Sequence, residues 1–251
     1  MVAPASRPAL GQDVPLGTLY DCRTDTFLSR SIVRGSISTQ DVSVSRKPNV
    51  ELKTAICRDY QQQFGLLGFS PELIASHFAG YVQGHGSASY LHSPAVPPWK
   101  AAAVLLHKLV MCTQRLNIAA MTEEELDLEA LRGVEATHIV MAVELGMQSI
   151  VEIQQKVVGD ADGPAADAVL AEAERLKWSL GVAPAATHKF DKSYLEPSTP
   201  NLDIQIFSDT MKEPVAAHHL LEAGEFLSML STQAQQLYNG DGISVSYQLV
   251  P

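Results

Sequence analysis

Residues Thr137–Val157 have the sequence THIVMAVELGMQSIVEIQQKV, and this stretch decides the fold. Its apolar side chains recur at every second position, and polar side chains such as His138 and Glu144 occupy many of the positions between them. Alternation with a period of two is typical of a β-strand that buries one face. We therefore predict a single strand with a length of roughly 60 Å. Because a strand of that length is unusual in a compact domain, we expect it to bend, and Gly146 is the natural position for the bend.

Similar patterns elsewhere predict further elements. Two shorter runs alternate as strands do, and three segments have the composition or the end signals of helices. One of these helices should begin at Ser70, because a serine can cap the first turn and Pro71 follows at the first helical position. The expected strands are Leu202–Phe207 and Ile243–Val250, and the expected helices are residues 70–78, Ala165–Lys177 and Pro214–Tyr238.

Five segments give weaker signals. We expect a short helix over Val50–Phe64, where apolar or aromatic side chains follow at intervals of four, and a sharply bent strand over Tyr81–Leu91, which contains two glycines. Glu123–Arg132 is expected to form an acidic helix with a solvated face. Ser29–Asn49 indicates a loop or an edge strand. Ala101–Met121 fits a strand by alternation and a helix by composition, so both interpretations stay open.

The length of 251 residues and a hydrophobic content of 46% fit a globular protein that buries its own core. The first residues are rich in alanine, proline and serine. We expect residues 1–12 to be a flexible tail and residues 13–251 to form a single domain.

The charge of the chain restricts its partners. Its 18 basic and 28 acidic residues give a formal net charge of −10. Such a protein is a poor candidate for binding nucleic acid, and it gains nothing from an anionic membrane by charge alone. Neutral lipid membranes and apolar small molecules therefore remain the expected partners.

The cellular location is predicted from what the sequence lacks. Residues 1–9 have no apolar core of the kind that a secretory signal requires, and charged or polar side chains interrupt Ala101–Met121. We therefore expect a cytoplasmic protein, unless it leaves the cell by an unconventional route. The three cysteines are widely spaced, and we expect them to be reduced and structural.

The sequence contains no HExxH, GxSxG, Walker A or GxGxxG motif, so we predict neither a metal site nor a cofactor. An enzymatic role would require a cofactor-free lyase or cyclase that acts on an apolar small molecule in a pocket between sheet and helices. The acid–base candidates for such an enzyme are His107, His138, Glu144 and Tyr90, because they belong to segments with strand character around the bent sheet.

Four groups of segments, taken in order, carry a family resemblance. They are Pro8–Gly11 with LGTLYDCR at residues 16–23, GHGSASYL at residues 84–91, ATHIV at residues 136–140 with LGMQ at residues 145–148, and IFSDTM at residues 206–211 with DGISVSYQLVP at residues 241–251. Together they resemble the N-terminal domain of the stonustoxin-like family. That family is a branch of the membrane-attack-complex/perforin and cholesterol-dependent-cytolysin superfamily.

The resemblance implies an α+β domain with a bent, twisted, antiparallel four-stranded sheet and flanking helical clusters. It also implies a membrane-interacting or pore-forming protein that assembles as a homo-oligomer, whose helical clusters unfurl into hairpins. Lys156–Pro200 is long enough for one hairpin, and Gln40–Gly80 is expected to supply the other.

The sequence also departs from the family pattern. After Tyr20–Arg23 the usual Pro-Gly turn is replaced by Phe27–Gly35, and family members continue into further domains. Three interpretations therefore stay open: a pore-forming protein, a domain that keeps the fold but binds a partner or small ligand, and the cofactor-free enzyme. Fold alone does not decide between them.

Overall fold

The computed structural model describes residues 5–56, 59–82, 84–93, 100–132, 136–156, 164–181, 190–196 and 201–251. These ranges contain ten strands and four α-helices. The strands are β1 (Ala5–Pro8), β2 (Thr18–Asp21), β3 (Thr26–Ser31), β4 (Val42–Ser45), β5 (Asn49–Ile56), β6 (Lys100–Leu116), β7 (His138–Lys156), β8 (Leu202–Ser208), β9 (Val215–Ala217) and β10 (Ile243–Val250). The helices are α1 (Tyr60–Leu66), α2 (Pro71–Phe78), α3 (Pro164–Leu180) and α4 (Leu220–Gln236).

The long alternating strand is the centre of one antiparallel sheet. β6 pairs with β7 along most of its length on one side, and β8 and β10 share the other side. Because β5 pairs with β6, the strands β5, β6, β7 and β8 are consecutive neighbours. The predicted sheet of four strands is nevertheless wrong in number, since the described sheet has ten. The additional strands come from residues 5–45 and 215–250; among them, β2 and β10 pair with β7, β4 pairs with β6, and β9 pairs with β8.

The register places four strand ends together. Ile56 lies opposite Ala103, Lys100 lies opposite Lys156, and Leu202 lies opposite Gln155. β5 and β7 therefore end, and β6 and β8 begin, at the same end of the sheet. We call this the insertion end. The opposite end carries the β6–β7 connection, an acidic segment that includes Glu123, Glu124, Glu125, Asp127 and Glu129.

Helices cover both faces of the β5–β8 region. α3 and α4 pack on the face that includes Leu105, where they share an apolar core with β6, β7 and β8. α1, α2 and a 3-10 helix over Gly86–His92 belong to a second apolar core, which includes Leu106 on the opposite face. Successive side chains of a strand point to opposite faces, so β6 supplies apolar residues to both cores.

The long strand, helix α3 and strand β10 agree closely with the sequence analysis. The Ser70 prediction also agrees, because the Ser70 hydroxyl accepts a hydrogen bond from the Leu73 N–H at 3.2 Å. β6 settles the ambiguous segment 101–121 in favour of a strand. Irregular pairing marks the position expected for the bend, since a bulge between Val110 and Cys112 lies opposite Gly146. Bulges of this kind bend the strand that contains them.

The predicted helix over Val50–Phe64 is wrong in its first half. Asn49–Ile56 forms β5, because this segment pairs residue by residue with β6. Spacings of four fit a strand as well as a helix, since four is also a multiple of two. The partner strand therefore decides the structure.

Two further predictions are corrected. Tyr81–Leu91 does not form a strand, because Gly86 has a φ of +59° and begins a 3-10 helix in which the Ser89 hydroxyl bonds the Gly86 carbonyl. Glu123–Arg132 forms only a short 3-10 helix over Leu128–Leu131, which Asp127 caps.

Both ends of the chain also differ from expectation. Residues 5–12 are not a free tail, because β1 pairs with β10 and the Arg7 guanidinium lies 4.6 Å from the centre of the Phe27 ring. α4 begins at Leu220 instead of Pro214, since residues 215–217 form β9 on the edge of β8. Cys22 is exposed and Cys112 is buried, and both are free thiols. Cys57 lies outside the described residues.

Candidate functional site

Two helical segments interrupt the four neighbouring strands. Residues 57–99 connect β5 to β6 and contain α1, α2 and the 3-10 helix over Gly86–His92. Residues 157–201 connect β7 to β8 and contain α3 and a 3-10 helix over Lys192–Leu195. Both segments leave the sheet and return to it at the insertion end. This arrangement is the candidate functional site.

The second segment is held to the sheet mainly by apolar contacts. α3 buries Val169, Ala173, Leu176 and Leu180 completely, at spacings of four, three and four that form one helical stripe. This stripe joins the core formed by β6, β7 and β8. The amphipathic helix that the sequence predicted therefore has its apolar face on the sheet.

Polar contacts add to this packing. The Thr54 hydroxyl of β5 donates a hydrogen bond to the Glu174 carboxylate of α3. The Arg175 Nε donates to the Tyr194 carbonyl at 2.9 Å, which ties α3 to the following 3-10 helix. An exposed ion pair of 2.5 Å joins Lys192 to Glu225 of α4. Exposed pairs contribute little to stability.

The first segment packs on the opposite face. Phe64, Phe69 and Leu73 are nearly fully buried in the core of that face, where Phe64 and Phe69 have ring centres 5.0 Å apart. Side chains cap both short helices, since Asp59 accepts from the Gln62 N–H and Ser70 accepts from the Leu73 N–H. Each cap satisfies a backbone donor that the helix itself leaves unpaired.

The segments that carry the family resemblance meet beside the bend. A Cβ atom on Gly146 would overlap the Leu109 carbonyl, and one on Gly242 would overlap the backbone of Gly146. The backbones of β6, β7 and the residue before β10 therefore approach one another as only glycine allows. Gly11 and His85 are also in close contact, and the His85 N–H donates to the Leu10 carbonyl at 3.0 Å.

A polar junction connects three of these segments. The Asp209 carboxylate accepts the Ser87 N–H at 2.8 Å, and the Gln148 amide donates to the Ser87 hydroxyl at 3.1 Å. The Asp209 N–H donates to the Gln148 carbonyl at 3.0 Å. Sequence reasoning missed this junction, because Ser87 and Asp209 lie far apart in the chain. The available signal was that both belong to segments which carry the resemblance.

Burial raises the pKa of Asp209 to about 6, although the hydrogen bonds from Ser87 oppose the shift. Burial also raises the pKa of Glu152 in β7, which is 1% exposed. Both carboxyl groups therefore bind a proton more tightly in the folded chain than in the unfolded chain. Folding costs free energy when they ionise.

We expect the contribution of Asp209 to the free energy of unfolding to increase as the pH falls through about 6. The folded pKa of Asp209 lies above its unfolded value of 3.8, so its contribution is complete below that value and is lost as the pH rises. When the pH is lowered from about 7.5 to about 5, this contribution should increase the free energy of unfolding by about 1 kcal/mol. Urea unfolding of wild type and Asp209→Asn at both pH values measures this pH-dependent contribution. The asparagine keeps an oxygen for the Ser87 N–H, so an unchanged pH dependence in this variant would contradict the assignment.

The four acid–base candidates occupy separate surroundings. Tyr90 is buried against Phe207, with ring centres 5.6 Å apart, in the core that contains α1 and α2. His107 is 2% exposed on β6, two residues after Leu105 and therefore on the same face as Leu105. His138 lies at the start of β7, with its ring centre 6.3 Å from that of Tyr20.

Glu144 forms an ion pair and a hydrogen bond with its neighbours. It accepts hydrogen bonds from the Lys108 Nζ at 3.0 Å and from the Ser246 hydroxyl at 2.6 Å. Burial disfavours its charge, but these bonds and the Lys108 charge hold its pKa below the usual value. None of the described cavities is lined by more than one of the four candidates. A catalytic role for the four residues stays a prediction.

In the part of the chain that the structure describes, no cluster of three or more His, Cys, Asp or Glu side chains could hold a metal ion. None of the described helices is long and apolar enough to cross a bilayer.

Two curated relatives are toxins. Stonustoxin subunit beta from Synanceia horrida and cytolytic toxin-beta from Scorpaena plumieri are each 24% identical to this chain over 139 residues. The match covers 55% of this chain but only 20% of the length of each toxin. Because toxins act outside the cells that make them, the predicted cytoplasmic location is wrong, and these relatives point to an extracellular protein.

The fold and the family agree with the resemblance seen in the sequence. The solved stonustoxin structure matches 98% of this chain and 31% of its own chain, with a TM-score of 0.63 and 17% identity. This similarity shows a perforin/cytolysin-like fold. The family model described as "SNTX, MACPF/CDC-like domain" matches residues 4–251, which include every segment that carries the resemblance. The chain therefore belongs to the SNTX, MACPF/CDC-like domain family.

Proposed function

We propose that this chain acts on lipid membranes as a pore-forming protein whose two helical segments become β-hairpins. The observation that carries the proposal is the position of the strand ends. β5, β6, β7 and β8 are neighbours, and both segments emerge from them at the insertion end. Hairpins formed by residues 57–99 and 157–201 would therefore extend four paired strands in one direction.

The segments have the necessary length. A strand that crosses the hydrocarbon core needs about 9–11 residues, so a hairpin needs roughly 20, and each segment is longer. The sequence of α3 also suits an extended state, because Leu176, Trp178 and Leu180 alternate with Lys177 and Ser179. The first hairpin, earlier expected within residues 40–80, moves to residues 57–99 because β4 and β5 already belong to the sheet.

The way in which α3 is held supports its release. Its buried stripe makes apolar contacts with the sheet and with α4. Apolar packing is non-directional, so lipid tails can replace it at little cost. The backbone groups of the extended hairpins would then require strand partners, which a closed barrel of several copies supplies. We therefore also propose a homo-oligomer in the membrane.

The toxin names of the relatives support a membrane role over the enzyme interpretation, which the comparisons do not favour. We further propose that the chain functions as one domain. This proposal is supported by the pairing of β1 with β10, since these strands come from opposite ends of the chain.

Release of a trapped dye from vesicles tests the proposed function. We expect micromolar protein to release dye from neutral, sterol-containing liposomes. The net charge of −10 gives no attraction to anionic lipid, so adding such lipid should not increase release. Intact vesicles across several neutral and anionic compositions would refute pore formation by this chain. The assignment of the fold would be unaffected.

A further inference from the structure

Three exposed aromatic side chains gather where α1 begins and α2 ends. Tyr60 is 48% exposed, Phe78 is 65% exposed and Tyr81 is 61% exposed. The Tyr60 and Phe78 ring centres are 6.2 Å apart at an interplanar angle of 89°. We call these three residues the aromatic patch. Large exposed aromatic groups are costly in water and usually mark a contact surface.

The protein holds this patch in place from below. The ring of Phe78 lies 5.4 Å from that of Phe64, which is 1% exposed. After α2 the Gly80 N–H donates to the His77 carbonyl, and the Tyr81 N–H donates to the Ser76 carbonyl. This pair of bonds is the Schellman arrangement, whose last residue usually packs its apolar side chain back on the helix. Here the backbone of Tyr81 is fixed, but its ring is turned to solvent.

The charge of the surrounding sequence identifies the occupant. Between Tyr60 and Trp99 only Glu72 carries a formal charge at pH 7, whereas 18% of the whole chain is charged. Glu72 lies in the first turn of α2, at the opposite end of that helix from Phe78. Asp59 caps α1 directly before Tyr60, but no charged residue lies between Glu72 and Lys100 in the sequence on either side of Phe78 and Tyr81. An aromatic surface with so little charge, on a chain of net charge −10, complements a surface without net charge. Tyrosine and other aromatic rings favour the headgroup level of a bilayer.

Another exposed apolar site provides a contrast. Leu128 is 57% exposed, but it lies between Asp127 and Glu129 in the acidic β6–β7 connection. Carboxylates beside an apolar side chain oppose its transfer into lipid, because ionised groups lose hydration there. Exposure alone therefore does not distinguish the aromatic patch; the uncharged sequence on both sides of Phe78 and Tyr81 does.

We propose that the aromatic patch is the surface through which the folded chain first binds a neutral lipid bilayer, before either segment leaves the sheet. This inference rests on the proposed membrane function and adds the contact site and the lipid class. Tyr60, Phe78 and Tyr81 enter the headgroup region, and the segment of residues 57–99 meets the membrane first. Binding in this state requires no unfolding of α1 or α2.

Flotation with neutral phosphatidylcholine–sterol vesicles tests the proposal separately from dye release. The double variant Phe78→Ser/Tyr81→Ser should bind these vesicles at least tenfold more weakly than wild type. Leu128→Ser is the matched control and should bind within about twofold of wild type. Phe78→Trp should retain binding, because it keeps an aromatic ring. Phe78→Ser also removes the contact between the Phe78 and Phe64 rings, so thermal unfolding should establish that every variant is folded at the temperature of the flotation assay.

The outcomes separate the two proposals. Binding that depends on the patch without dye release would refute pore formation and support the docking surface. Dye release with equal binding by wild type and the double variant would refute the docking surface and leave pore formation standing. Self-association of wild type without vesicles, lost in the double variant, would identify a second copy as the occupant and overturn the proposal.

Discussion

A short, reducible bridge between α3 and β5 is expected to abolish dye release completely. Thr54 and Glu174 provide the positions, because their side chains are in direct hydrogen-bond contact. The bridge would join Thr54→Cys to Glu174→Cys through a bis-thiosulfonate reagent. Cleavage of the bridge by a reductant should restore release to the level of the unbridged variant.

The physical reason is the length of chain that α3 must release. A residue covalently fixed to β5 cannot move away as part of an extended strand, whatever lipid is present. The effect should therefore be total, whereas the loss of the Thr54–Glu174 hydrogen bond alone should cost only about 1 kcal/mol of stability. Single-cysteine variants treated with the same reagent measure that smaller effect.

The cysteine background can be controlled. Cys22 is exposed and should be replaced by serine, together with Cys57. Cys112 can remain, because burial raises the pKa of its thiol to about 11 and keeps it in the unreactive protonated form. A second bridge between Ser6→Cys and Gln248→Cys joins β1 to β10, outside both segments. This control should release dye normally. Full release by the α3-bridged protein would show that α3 does not leave the sheet during function.

Gly146→Ala is expected to lower the stability of the fold more than an alanine at any other described glycine of the sheet. A Cβ atom at this position would overlap the carbonyl oxygen of Leu109, and a backbone atom cannot move aside as a side chain can. Gly242 approaches Gly146 from the other side, so the backbone has no free direction for relief. We expect a loss of about 4 kcal/mol in the free energy of unfolding, at the upper end of single substitutions.

Thermal and urea unfolding measure this effect. For a chain of this size, a loss of that magnitude should lower the Tm by roughly 10 °C. Gly65→Ala in α1 is the matched control, because a Cβ atom there would meet nothing within 4 Å. This control should be neutral or stabilising by about 0.5 kcal/mol, since alanine favours the helix. Equal stability of Gly146→Ala and wild type would mean that the three backbones do not meet at the bend.

Periodicity predicted the parts of the fold that bury one face over many residues. β7 and α3 follow from the sequence alone, because their patterns extend over several turns or pleats. β5 could not be separated from a helix, since Leu52 and Ile56 fit both periods and only the pairing with β6 decides. The short edge strands β1 and β9 were missed, because three or four residues carry too little pattern.

The candidate site shows a different limit. The hairpin segment after β7 was expected from the family resemblance together with its length, and neither requires a contact between distant residues to be known. The junction of Ser87, Gln148 and Asp209 depends on contacts between distant segments, and no spacing in the sequence reports them. The aromatic patch was also hidden, because only the packing of α1 against α2 brings Tyr60 beside Phe78.

The acidic β6–β7 connection lies at one end of a strand pair, and the insertion end lies at the other, about 55 Å away along β6. The molecule consequently behaves as an electric dipole whose negative pole is that connection. Near any anionic surface this pole is repelled more strongly than the rest of the chain, within about a Debye length of 8 Å at physiological salt. The resulting torque turns the connection outward and leaves the ends of β5, β6, β7 and β8 facing the surface, so the molecule's own field selects its orientation before any contact is made.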